Sequence, residues 1–325
     1  MKVLPTYFSS VYAPPETPRF WRLSVAADLM QKLGLVEMIE PPPFDTSALS
    51  GLHSERYLTH FDQGIEPLAS TLGIPWSTAV RDATYAMLSG QLAAVERAQS
   101  SGVCLNLACG FHHAVAERGS AYCALNGLAL VAHARPDLRV FVIDCDEHGG
   151  NGTESFIAQL PNLYQASIFG TRFGCLGGPR SWTFHIRGRN AAAQYDAALD
   201  EVDDLIREHR PDLILYQSGA DCHENDPKSL ARISADQMFR RDLRVFGMAR
   251  ELTVPIVFVV AGGYQQPEQV AQLNANSVRA ALQVFGEAAT EPTPLTGAAA
   301  GAHTDPLVED ILAKGLLVPL GPATT

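Results

Sequence analysis

Residues 138–152 read LRVFVIDCDEHGGNG. Apart from Arg139, the first six are apolar and rich in β-branched side chains, as in a parallel strand buried on both faces. The other nine hold three acids, a histidine and three glycines, which is more chemistry than a solvent turn needs. Side chains alternate along an extended chain, so Asp144, Asp146 and His148 fall on one side. A carboxylate and an imidazole two residues apart suit a borderline ion such as zinc. A surface turn with solvated charges is the rival reading. The glycines of HGGNG (148–152) invite a phosphate-loop reading, but the Gly-Lys-Ser/Thr of such a loop is missing and acids surround them.

Three more apolar runs end in the same manner. VCLNLA (103–108) leads into Cys109, Gly110, Phe111, His112 and His113; LILYQ (213–217) into SGADCH (218–223); IVFVV (256–260) into Ala261, Gly262, Gly263 and Tyr264. Ligands of open parallel sheets bind beyond the carboxyl ends of the strands, so four such clusters converge on one rim. Asp221 reads alone as a turn or helix-capping residue. Beside Asp146 and His148 it completes a three-ligand set with a position left open for water, the form of a catalytic zinc site. His112 and His113 are either two unrelated histidines or a pair turned toward a metal-bound water to share acid and base work. Asp144 and Asn151 are available to orient them. Tyr264 after two glycines is either a packed ring or a phenol that donates to a developing oxyanion.

Beyond these runs, strand-like stretches at 167–169 and 183–186 and helical patterns at 78–98, 191–209, 237–252 and 267–284 alternate along the chain, which predicts a parallel α/β fold. The organisation expected is one domain over residues 1–287, then a Pro/Ala/Gly-rich linker and an amphipathic arm over 288–325. That arm would dock on this or a neighbouring subunit, so a homo-oligomer is allowed. Six scattered cysteines without a CxxC pair read as buried, reduced thiols. With 325 residues and 46% hydrophobic content, the chain is long enough for a large core. Its formal charge of −11 argues against nucleic-acid or anionic-membrane binding and leaves a cationic substrate tolerated or attracted. No apolar run is long enough to span a bilayer and the N-terminus lacks a signal-peptide pattern, so a cytoplasmic location is expected.

GFHHA (110–114), AYCALN (121–126), VIDCDEHGGNGTESF (142–156), YQSGADCHENDP (216–227) and VVAGGYQ (259–265) resemble, in order and spacing, the zinc-dependent histone deacetylase and acetylpolyamine amidohydrolase superfamily. LHSERYL (52–58) extends the resemblance toward the N-terminus, and GGYQ with Gly149 is nearest to the class IV branch and its bacterial relatives. The resemblance implies an arginase-deacetylase-like three-layer α/β fold with a mostly parallel eight-stranded central sheet. It implies Zn2+ on Asp146, His148 and Asp221, a catalytic pair in His112 and His113, and a carbonyl-polarising Tyr264. Asp144 stands behind His112 and Asn151 behind His113. A neutral Asn supports an imidazolium less than a carboxylate does, so His113 is expected to hold its proton weakly.

Ala121 and Tyr122 take the place of a Gly-Phe that lines the family's acyl-lysine channel, and Phe173 is the candidate for the opposite wall. Gly149, where a second histidine is usual, is expected to open space. The family's His-Pro near the start is represented only by Thr17-Pro18, and the short N-terminal region motivates an expectation that acyl chains longer than acetyl are accepted. Relative to the binuclear arginases the extra carboxylates are missing, so one metal and an amide hydrolase are expected. A structural K+ near residues 144–148 is a further expectation. The implied activity is removal of an acyl group from protein lysine side chains. The alternatives are deacetylation of a small acylated amine such as an acetylpolyamine, and an acyl-ligand-binding protein of weak activity.

Overall fold

The computed structural model describes residues 3–286; the expected linker and C-terminal arm lie outside the described residues. In chain order the elements are β1 (Leu4–Tyr7), α1 (Pro18–Lys32), β2 (Val36–Ile39), α2 (Glu55–Gln63), α3 (Thr78–Ser101), β3 (Val103–Asn106), α4 (Gly127–Ala134), β4 (Val140–Asp144), α5 (Asn151–Phe156), β5 (Leu163–Phe169), β6 (Ser181–His185), α6 (Ala191–His209), β7 (Leu213–Gln217), α7 (Ala235–Glu251), β8 (Ile256–Val259) and α8 (Pro267–Gly286).

The eight strands form one sheet in the order β2-β1-β3-β8-β7-β4-β5-β6. Every pairing is parallel, with β4 held between β7 and β5 over its whole length. Central strands β3, β4, β7 and β8 are buried at every position, which accounts for their unbroken apolar runs.

Connections through α1, α6 and α7 travel along the sheet one way, and those through α3, α4 and α5 the other. Right-handed crossovers therefore put the two sets on opposite faces. The packing agrees: α1 lies on α8, α8 on α7 and α7 on α6, while α3 lies on α4 and α4 on α5. The result is the three-layer α/β fold expected, with the sheet wholly parallel. Strands β3, β8, β7 and β4 are consecutive in the sheet, so the four polar clusters at their carboxyl ends share one rim.

Candidate active site

The segment after β4 does not continue as extended chain. It bends at Asp146 and Glu147 and then bridges to Thr171 at His148. The bend still brings Asp146 and His148 to Asp221: one donor atom from each lies within 4.8 Å of the others. His148 Nδ1 stands 3.2 Å from Asp146 Oδ1 and 3.2 Å from Asp221 Oδ2.

Backbone amides hold the two carboxylates. Gly262 N donates to Asp146 Oδ2 at 2.8 Å, and Glu147 N to Asp221 Oδ1 at 3.0 Å. Gly262 has to be glycine, because a Cβ there would overlap the Asp221 carboxylate. Glu147, although buried, faces away: it accepts from Thr171 Oγ1, Leu230 N and Ala231 N and fixes the neighbouring loop.

Burial pushes Asp221 up to about 7, with the Asp146 charge adding to it. Burial also opposes the charge on His148, but its contacts with Asp146 and Asp221 outweigh this and raise it to about 10. Two buried carboxylates and an imidazole, crowded this closely, form a donor set that fits a divalent ion: the charge relieves the carboxylate repulsion and the open side admits a ligand.

His112 and His113 follow β3, with ring centroids 3.8 Å apart. His112 Nδ1 meets Asp144 Oδ2 at 2.7 Å, and His113 Nδ1 meets Asn151 Oδ1 at 2.7 Å. The two partners separate the pair electrostatically. Burial disfavours charge on His112, but Asp144 and Asp146 overcome it and hold the ring above the ordinary histidine range. Burial and the neighbouring His112 push His113 well below that range. An amide oxygen only accepts, so His113 carries its proton on Nδ1 and keeps a free lone pair on Nε2.

Tyr264, Tyr122, Ala121, His112, His113, Asp146 and Gly262 line one inner cavity of about 30 Å³, room for a water or two. The Tyr264 ring lies 6.3 Å from that of His148 and 6.1 Å from that of Tyr122, centroid to centroid. Burial pushes the Tyr264 phenol well above its ordinary range, so it stays protonated and able to donate. Its backbone N–H is anchored on Asp226 Oδ2 at 2.7 Å.

The Phe173 ring lies 4.3 Å from that of His113 and 5.7 Å from that of His148, and the residue is 41% exposed. Ala121, Tyr122, Phe173 and Ala261 all have positive φ, at 41°, 70°, 48° and 38°. Non-glycine residues in this region are strained, and such residues gather where function constrains the backbone. Ala121 thus occupies a conformation that glycine adopts more readily.

One expectation is corrected. Gly149 does not open space, because a Cβ there would stand 2.5 Å from Arg172 O and 2.6 Å from Cys175 Cβ. The loop after β5 fills that volume. All six cysteines are free and buried, as expected.

Three site residues had no motif to announce them. Arg19 and Arg22, one turn apart on α1, line the inner cavity, and both also line an outer groove of about 590 Å³ together with Tyr122. Lys228 reaches over the Tyr264 ring at 4.8 Å. The only available signal was the three-residue spacing of the arginines, legible once the stretch after Thr17-Pro18 is known to be a helix.

A wholly parallel three-layer fold with an Asp/His/Asp cluster, a histidine pair and a tyrosine at one rim defines a class of hydrolase site, and the comparisons agree. The histone deacetylase domain family matches residues 15–281, and the chain belongs to that family. It is similar to histone deacetylase 2 of Arabidopsis thaliana, 28% identical over 80% of this chain and 70% of the relative. It is also similar to acetylpolyamine amidohydrolase 1 of Pseudomonas aeruginosa, 27% identical over 47% of this chain and 48% of that one. The fold is that of an acetylpolyamine aminohydrolase crystal structure from Burkholderia pseudomallei, with a TM-score of 0.71 and 19% identity over 87% of this chain and 98% of that chain. The family is one of deacetylases, and the relatives of this chain include proteins named histone deacetylases and proteins named acetylpolyamine amidohydrolases. Among the described residues, no helix is long and apolar enough to cross a membrane.

Proposed function

We propose that the chain is a zinc-dependent amidohydrolase that removes an acyl group from an acylated amine, with protein acyl-lysine as the first substrate class. The observation that carries this reading is the split histidine pair: one imidazole backed by Asp144, the other by Asn151, both lining the cavity that Asp146 of the donor cluster also lines. Residues 1–287 form the catalytic unit. Zinc held by Asp146, His148 and Asp221 would polarise the amide carbonyl and acidify a water.

His113 Nε2 takes the proton from the attacking water, because burial and the neighbouring His112 keep this ring neutral and Asn151 brings no charge to oppose them. His112, charged beside Asp144, steadies negative charge as it develops. The Tyr264 hydroxyl donates to the oxygen of the former carbonyl. The C–N bond then breaks, a proton from the histidine pair passes to the leaving nitrogen, and a carboxylic acid and an amine result. Tyr122 and Phe173 flank the path of the amine chain, and the narrow inner cavity suits an acyl group of acetyl size. A longer chain would have to pass Arg19 and Tyr122 into the outer groove.

A second reading, hydrolysis of a small acetylated amine, draws on the relatives named acetylpolyamine amidohydrolases. An acyl-binding protein without turnover is opposed by the complete set of donors, histidines and tyrosine. Assaying acetyl-lysine peptides beside acetylspermidine, with zinc content measured on the same sample, tests all three.

A further inference from the structure

We infer that this site selects amides that carry a carboxylate and disfavours polycationic ones; the inference rests on the amidohydrolase reading. Two cationic side chains meet at the ring of Tyr264, and a third, Arg22, lines the same inner cavity. The Arg19 guanidinium lies 4.7 Å from the Tyr264 ring's centroid and 4.9 Å from that of Tyr122, so it packs against both tyrosines. Lys228 Nζ lies 4.8 Å from the Tyr264 centroid. Arg22 is tied to Ala261 O through Nη2, while its Nη1 is buried without a hydrogen-bond partner.

Among the described residues, no nearby acid is ion-paired with this cluster. Asp146 and Asp221 belong to the donor set, and Asp226 accepts from the backbone of Tyr264 and Lys228. Glu16 stands in the outer groove. Neither Arg19 nor Lys228 has an ion-pair partner among the described residues. The chain as a whole is strongly negative, yet Arg19 and Arg22 line both the inner cavity and the outer groove, and Lys228 reaches the same tyrosine, so cationic groups stand on the substrate's path.

Arg19 stands where the small inner cavity meets the large groove, and its planar fork, stacked on aromatic faces, keeps its donors for a carboxylate. An ammonium in the same place meets like charge in a partly desolvated space. The shared chemistry is a carboxylate a few bonds from the scissile amide, on either the amine half or the acyl half.

The test compares kcat/KM for isosteric amides on the zinc-loaded protein. For the amine half these are 4-acetamidobutanoate, N-pentylacetamide and N-acetylputrescine; for the acyl half, the N-butyl monoamide of glutaric acid against N-butylhexanamide. In at least one series the carboxylate should exceed its neutral isostere by about tenfold or more, the scale of one charge-assisted hydrogen bond. Whichever series responds identifies the half that bears the charge. N-Acetylputrescine should fall below the neutral amide. Arg19→Gln, and separately the solvent-exposed Lys228→Gln, should bring the carboxylate-to-neutral ratio toward one, as should 1 M salt.

If the neutral amide is hydrolysed and N-acetylputrescine matches or exceeds it, the inference is overturned while the amidohydrolase reading stands. If no amide of any charge is hydrolysed, an acetyl-lysine peptide assayed beside them included, that reading falls, and calorimetric Kd values for the same ligands decide the selection by charge. Tighter, salt-sensitive binding of the carboxylate supports it, and equal or tighter binding of the cation overturns it.

Discussion

Replacing Asn151 with Asp tests how the histidine pair divides its work. Asn151 Oδ1 accepts from His113 Nδ1 at 2.7 Å, and Asn151→Asp exchanges a neutral acceptor for a carboxylate of nearly the same shape. His113 now sits well below the ordinary histidine range, through burial and the adjacent His112. An ion pair with charge centres about 4 Å apart is worth about 4 kcal/mol at a dielectric of about 20, close to 3 pKa units. Opposite charges at such distances generally raise a histidine by about 1–3 units. The group acting as base must be neutral, so raising its pKa moves the acid limb of the pH profile upward. The acid limb of the kcat/KM profile of Asn151→Asp on an acetyl-lysine peptide should therefore lie about 1–3 pH units above that of the unaltered protein. An acid limb that stays in place or moves downward would refute His113 as the neutral base.

Purified protein should carry about one zinc per chain, and Asp146→Ala or Asp221→Ala should each lose most of it by elemental analysis. Gly262→Ala, whose new Cβ would overlap the Asp221 carboxylate, should also lose metal while remaining folded by circular dichroism. Tyr264→Phe should keep its zinc and melting temperature and a similar KM, with kcat reduced about 10²–10³-fold, the usual loss for one oxyanion donor. If Tyr264→Phe kept more than half of the original kcat, the oxyanion role would be wrong.

The centre of the sheet could be read in the sequence because β3, β4, β7 and β8 are buried on both sides and must be apolar throughout. The edge could not. The strand β2 is VEMI, with every position at least partly exposed, and β1 carries Pro5, which argues against a strand interior. Helix α4 was also hidden: GLALVAHA is apolar nearly all round and buried, so it shows no amphipathic period. The donor cluster and the histidine pair were legible because each sits directly beyond an unmistakable strand. Arg19, Arg22 and Lys228 were not, since a helix and a loop distant in sequence bring them to Tyr264. Sequence likewise gives no sign that the loop after β5 fills the space beside Gly149.

The most direct test of the amidohydrolase account is a product balance on an acetyl-lysine peptide. Zinc-loaded protein should release acetate and free lysine amine in equal amounts over many turnovers, and Asp146→Ala, purified in parallel and folded, should release neither. Equal product release by the metal-free variant, or no release of acetate by the zinc-loaded protein from any acylated amine, would contradict it.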